Sequence, residues 1–375
     1  MLWFTILVFL VGLWIYRLYS CCFPVSTNER EAIEIKSNLP LPSVNLIIPA
    51  YLDFQNLNLL VKDCLDQNYP PNLIHITLVI DGSIPENFKT NLPVNVQVLH
   101  SLERKGKAQA LNKAVALSSS EMIFFLDANI RIEANVVRKM VDAILEHATV
   151  TMVFGRKLVK DKPTLVGAES IYWNYEHRIK LQEQSNNCLF AATGELIAMK
   201  RIHYNPLPEQ IILDDLFQSI SHIQKGGKLK YVHEAISTEA ASGNLFQEFQ
   251  RKIRIGRGAA QLLTFIGWFP FGSFRLNLHF WQRKIARWLV FPILIQVWIA
   301  VFVLDSFTQN NNFMQLGLIV WMFLFIIQVA HLRLPILNNI ARYLVYFPLM
   351  QLAISWGFLS FYMGFQSHLW QKISR

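Results

Sequence analysis

Two kinds of apolar patterning alternate through residues 44–145. Short apolar runs of strand length occur at 44–48 (VNLII), 74–80 (IHITLVI), 94–99 (VNVQVL) and 122–126 (MIFFL). Pro49 closes the first, Asp81-Gly82-Ser83 the second and Asp127 the fourth. Between them, apolar residues recur at helical spacing. Leu57, Leu60, Val61, Cys64 and Leu65 form one stripe, stopped by Pro70-Pro71. Ala110, Leu111, Ala114, Val115 and Leu117 form a second. Val136, Val137, Met140, Val141, Ile144 and Leu145 form a third. This alternation predicts an α/β fold on a mostly parallel sheet with helices on its faces. Ligands of such sheets bind beyond the carboxyl ends of the strands, where Asp81 and Asp127 stand.

The ends of the chain are patterned differently. Residues 2–16 are uncharged and stop at Arg17, and 288–304, 313–330 and 343–366 are also uncharged. Each later run is about long enough to cross a hydrocarbon core of roughly 30 Å as a helix. The first reads as an anchor rather than a signal peptide: no basic segment precedes it, Trp14 and Tyr16 stand where small residues belong, and no A-x-A site follows. The pattern divides the chain into an anchor (1–20), a linker (21–43), a catalytic domain (44–245), a basic and interfacial segment (246–287), three membrane helices (288–366) and a tail (367–375). The excess of Lys and Arg places 17–287 and 331–342 in the cytoplasm and 305–312 outside.

Composition sharpens this picture. Of 375 residues, 53% are hydrophobic and only 16% charged, against about 25% charged in ordinary soluble domains. Disordered, collagen-like and disulfide-framework classes are thereby excluded. The net charge of +9 fits both contact with anionic head groups and a groove for a negatively charged substrate. Nucleic acid is not expected as a partner, because the basic residues form no stripe with interleaved aromatics. Cys21, Cys22, Cys64 and Cys188 show no metal-ligand spacing.

Five short segments carry candidate chemistry, each with a plainer reading beside it. Asp81 in IDGS can accept from a base N–H, or simply make an Asp-Gly turn. Arg104-Lys105-Gly106-Lys107-Ala108 opens a helix and suits a diphosphate, or is a solvated basic loop. Asp127-Ala128-Asn129 offers two oxygen donors to a hard divalent cation, or caps a helix. Asp214-Asp215 in ILDDLF provides a candidate general base, or acidity at a helix start. The run 251–258 (RKIRIGRG) binds an anionic substrate, or anchors the chain to head groups.

In order, PAY (49–51), IDGS (80–83), KGKAQALN (105–112), DAN (127–129), ATGELIAMKR (192–201), LDDL (213–216) and RKIRIGRG (251–258) resemble the processive-type branch of family 2 glycosyltransferases. That branch includes cellulose, hyaluronan and poly-N-acetylglucosamine synthases and ceramide glucosyltransferase. The resemblance covers about residues 44–260. It implies a GT-A (Rossmann-like) domain between N- and C-terminal membrane helices. It also implies a UDP-sugar site in which Asp81 meets the uracil and Lys107 the diphosphate. Asp127 and Asn129 hold the ribose and a Mg²⁺ or Mn²⁺ ion. Pro49, Tyr51 and Asp214 join the substrate site, Thr193 and Gly194 form the turn beside the acceptor, and Asp215 is the catalytic base. Arg251 and Arg254 fall on the first and fourth positions of the (Q/R)xxRW motif that closes over the diphosphate. Three positions depart from the pattern: Asn129 replaces an Asp, Ile80 an acidic residue and Ile255 the Trp.

The resemblance implies inverting transfer that gives a β-linkage, at a bacterial inner membrane. Three functions follow: extension of a surface polysaccharide, transfer of one sugar to a membrane lipid or polyprenyl phosphate, and an inactive membrane subunit. A homo-oligomer or an export partner would complete a polymer channel.

Overall fold

The computed structural model describes residues 40–51, 54–82, 96–160, 168–240, 245–308 and 347–364. The expected anchor, most of the linker, Ser83, the span 313–330, the loop 331–342 and the tail lie outside the described residues. The chain divides into two compact units. One is built from the described residues between 40 and 240 with 266–273. The other is built from those of 245–265, 274–308 and 347–364.

The first unit carries an eight-stranded sheet. Its strands are β1 (Val44–Ala50), β2 (Ile74–Asp81), β3 (Val96–Ser101), β4 (Met122–Leu126), β5 (Ile130–Ile132), β6 (Val150–Lys160), β7 (Leu196–Lys200) and β8 (Lys228–Ala240). They lie in the order β3-β2-β1-β4-β7-β6-β8-β5. The first four strands of that order are parallel neighbours. Beyond β4 the sheet is mixed: β7 is antiparallel to β4 and β6, β8 is parallel to β6, and β5 is antiparallel to β8. The expectation of a mostly parallel sheet therefore holds for the half up to β4 and is corrected for the other half.

Every residue of β1 and β4 is buried, as expected for strands covered on both faces. The helices of this unit are α1 (Phe54–Leu65), α2 (Lys107–Leu117), α3 (Val136–Leu145), α4 (Ala168–Ser185) and α5 (Asp214–Gln224). The apolar stripe from Val136 to Leu145 coincides with α3, which packs on β6 and β8. Cys64 is buried in the core beneath α1, and burial pushes its thiol well above the ordinary range. Pro49 does not end β1, which continues to Ala50 in register with Ile80 of β2.

The second unit is helical: α6 (Leu245–Ile266), α7 (Phe274–Phe280), a π-helical stretch (Trp281–Val290), α8 (Phe291–Thr308) and α9 (Phe347–Tyr362). Among the described residues, one helix, Phe274–Val301, is long and apolar enough to cross a membrane. α6 and α9 meet at glycines. A Cβ on Gly256 would lie 2.1 Å from the Ile354 carbonyl oxygen, and one on Gly357 would lie 2.0 Å from that of Ile253.

Candidate active site

β1, β2 and β4 end on the same edge of the sheet, and the loops leaving them carry the first site residues. β2 ends in Asp81, which is 2% exposed. Its carboxylate accepts from the backbone N–H groups of Lys105 (2.7 Å) and Gly106 (2.9 Å). Asp81 thus holds the loop that opens α2. A carboxylate has about four lone-pair sites, so these two bonds leave acceptor capacity for a base N–H. Tyr51, after β1, lies beneath the Arg104 guanidinium, 3.7 Å from its ring centroid. Pro49 is buried within β1.

Lys107 is the first residue of α2, and its ammonium bridges two motifs. It lies 3.0 Å from Asp127 Oδ1, just past β4, and 3.1 Å from Asp214 Oδ2, at the start of α5. Burial opposes its charge. The two carboxylates override that and hold the ammonium above its ordinary range. Asn112, one helical face further along α2, secures the chain leading to Asp214. It accepts from the Tyr204 hydroxyl (2.6 Å) and the Leu207 N–H (2.9 Å) and donates to the Leu207 carbonyl (2.8 Å). The KGKAQALN segment therefore works at both ends, by charge at Lys107 and by clamping at Asn112.

Asp215 lies in the first turn of α5, and its Oδ1 accepts from the Leu216 N–H (2.8 Å). Free N–H groups at a helix start favour a carboxylate. Gly194 presses against it: a Cβ there would sit 3.1 Å from Asp215 Oδ2. The turn 192–194 is tied to the same helix, since the Ala192 N–H donates to Ser219 Oγ and that hydroxyl donates to the Asp215 carbonyl. Thr193 donates to the Gly155 carbonyl (3.3 Å).

Three charged residues enter the site that the sequence reading did not single out. Glu195 is 6% exposed and begins the approach to β7. Burial raises its pKa, Lys157 opposes that, and Asp127 and Asp215 reinforce it. Glu239, on β8, accepts from Asn129 Nδ2 at 2.5 Å. It forms an ion pair with Lys157 on β6, both side chains being buried. No local motif marks these three; strand pairing brings them to the site.

Asp81, Lys107, Asp127, Asn129, Thr193, Gly194, Asp214 and Asp215 are linked in one unit by these contacts. Arg251 and Arg254 belong to the other, on α6. There Arg251 forms a two-pronged pair with Glu248, 2.7 and 2.8 Å. Burial would raise the Glu248 pKa, but Arg251 and Lys252 bring it down to about 2.

Residues 45–204 match the model of glycosyl transferase family 2. Over this stretch the chain is similar to family 2 glycosyltransferases. Glycosyltransferase AglE of Haloferax volcanii is 24% identical over 232 residues, 59% of this chain and 74% of its own length. Among solved structures, the mannosyltransferase PcManGT from Pyrobaculum calidifontis, in complex with GDP-Man and Mn²⁺, is similar with a TM-score of 0.69. Its identity is 16%, over 97% of this chain and 98% of that one. The likeness shows the GT-A fold.

A divalent cation fits the strand-end residues of this unit. Asp127 and Asn129 supply hard oxygen donors, and magnesium sites of this kind take one or two carboxylates with the rest from phosphate and water. Among the described residues, no three His, Cys, Asp or Glu side chains cluster as a complete metal cage. The donor's own diphosphate would therefore have to complete the shell.

Proposed function

We propose that this protein is an inverting glycosyltransferase that moves a sugar from a UDP-sugar to an acceptor hydroxyl at a membrane. The observation that carries the reading is the Lys107 bridge from Asp127 to Asp214, with Asp215 next in the chain and against Gly194. It joins a cationic diphosphate site to a base within one family 2 domain. Asp81 and Tyr51 would receive the base of the nucleotide, and Asp127 its ribose.

In the reaction, Asp215 takes the proton of the acceptor hydroxyl. The oxygen attacks the anomeric carbon from the face opposite the nucleotide. The bond to the diphosphate breaks, and the electron pair leaves with the nucleoside diphosphate. One displacement inverts the anomer, so an α-linked donor gives a β-linkage. Lys107 stabilises the charge growing on the leaving group. Asp127 and Asn129 would hold Mg²⁺ or Mn²⁺, which supplies Lewis-acid stabilisation of the same charge.

The proposed acceptor is a growing surface polysaccharide, with the family 2 domain on the cytoplasmic side of a bacterial inner membrane. The apolar helix Phe274–Val301 and the basic residues preceding it support a membrane setting. The test is a screen of UDP- and GDP-sugars for nucleoside diphosphate release, with lipid extract as acceptor and Mg²⁺ or Mn²⁺ varied. Release from a UDP-sugar that is lost by several orders of magnitude in Asp215→Asn, with UDP binding retained, is the expected result. Full activity in that variant would remove the base from Asp215. Product length decides the acceptor: a polymer supports the polysaccharide reading, and a single added sugar replaces it with lipid glycosylation.

A further inference from the structure

Asn129 stands where the resembling family carries an Asp, and the structure gives a reason. β5 begins one residue later and pairs with β8 so that Ile130 lies opposite Glu239. The Glu239 carboxylate thereby meets Asn129, with Oε1 2.5 Å from Nδ2. Glu239 is itself held by Lys157, and the exposures of the two side chains are 5% and 8%. The Lys157 ammonium also lies 4.5 Å from the ring centroid of Trp173 on α4. The position of Glu239 is thus set by three elements, β5, β6 and β8, and its cationic partner is braced against a fourth.

An ionised carboxylate only accepts hydrogen bonds. Facing Glu239, the Asn129 amide must therefore present its nitrogen, and its oxygen turns away from Glu239. An Asp at 129 would instead set two acceptor oxygens against each other at hydrogen-bond distance, with no donor between them. We propose that Glu239 is a positioning residue that fixes the Asn129 amide with its oxygen toward the cation and diphosphate of the bound donor, and that Glu239 and Asn129 work as a pair. The buried ion pair with Lys157 holds the Glu239 carboxylate against Asn129. The inference rests on the nucleotide-sugar reading above.

The experiment is Mn²⁺ binding to the full-length protein in detergent with saturating UDP, read by the loss of free-Mn²⁺ electron paramagnetic resonance signal. Donor KM and kcat are measured beside it. Glu239→Gln can offer either an oxygen or an N–H to Asn129. It should weaken Mn²⁺ binding about tenfold and raise donor KM more than it lowers kcat. Asn129→Asp should gain no affinity while Glu239 is present, yet bind about tenfold tighter than Glu239→Gln once the two are combined. Should Lys157 left alone prevent folding, Lys157→Met with Glu239→Gln removes both buried charges and asks the same question. Equal Mn²⁺ binding by wild type and the folded Glu239 variants would overturn the pairing. So would an equal gain from Asn129→Asp with and without Glu239. A wild-type protein that binds no Mn²⁺ with UDP would defeat the donor reading itself, and this inference with it.

Discussion

Gly194 lies against Asp215: a Cβ on the glycine would stand 3.1 Å from both Cβ and Oδ2 of the aspartate, so that a neighbour must give by a few tenths of an ångström to admit a methyl. Contacts this short force one neighbour to move. Gly194→Ala should therefore displace the Asp215 carboxylate while leaving the nucleotide side of the site in place. The expected outcome is a fall in kcat of several-fold, less than the roughly 100-fold that a misplacement of about 1 Å can cost, with UDP affinity within a factor of about three. Steady-state kinetics and calorimetric UDP titration check both halves. A full-rate Gly194→Ala enzyme would mean that Asp215 need not hold this position.

The Lys107 ammonium pairs with both Asp127 and Asp214. Lys107→Met removes the cation that stands between those carboxylates. UDP binding should weaken by at least about tenfold, since one charge-assisted contact is worth about 1.5–3 kcal/mol. Lys107→Arg should not restore it fully, because a planar fork does not replace a compact ammonium between two carboxylates. Calorimetric titration of the three proteins with UDP reads the order directly.

Glu195 makes stability depend on pH in a definite direction. Burial, partly offset by Lys157 and reinforced by Asp127 and Asp215, raises its folded-state pKa above the ordinary 4.5. The folded protein then holds a proton that the unfolded chain releases. Its contribution is fully present below pH 4.5 and is lost as pH rises through the folded-state value. Glu195→Gln keeps the shape and cannot ionise. Its Tm should gain on wild type as pH increases from 4.5 toward 8, and thermal melts across that range test the sign. A constant difference at every pH would show that Glu195 has no shifted ionisation.

In the helical unit, Gly256 and Gly357 let two backbones touch, as small residues do where helices pack closely. Gly357→Ala would drive a methyl into the Ile253 carbonyl, 2.0 Å from the new Cβ. Overpacking of this kind costs about 1–3 kcal/mol. The expected result is a lower melting temperature for the detergent-solubilised protein, measured by differential scanning fluorimetry. Gly272→Ala, at an open position without a left-handed backbone, serves as the comparison.

The elements legible in the sequence were those governed by local patterning. The stripe from Val136 to Leu145 is α3 because its apolar residues recur at helical spacing. The run 122–126 is β4 because five consecutive apolar residues suit a strand covered on both faces. Asp81 and Asp127 could be placed beforehand, since each directly ends such a run.

The mixed half of the sheet was not legible in the same way. β7 reads as short and ordinary, and only pairing with β4 and β6 gives its direction. Glu195, Lys157 and Glu239 are separated by 38 to 44 and more positions, and no spacing rule joins residues on β6, β8 and the approach to β7.

Within residues 44–145 the chain by itself thus determined four strands and three helices, and which carboxylates stand at strand ends, because both follow from nearest-neighbour periodicity. Tertiary structure alone decided that Lys107 joins Asp127 to Asp214, and that Asn129 faces Glu239. Those contacts depend on strand order and register, which set side chains from distant segments within 2.5–3.1 Å of each other. Charge and hydrogen bonding act over those distances in space, whatever the separation along the chain.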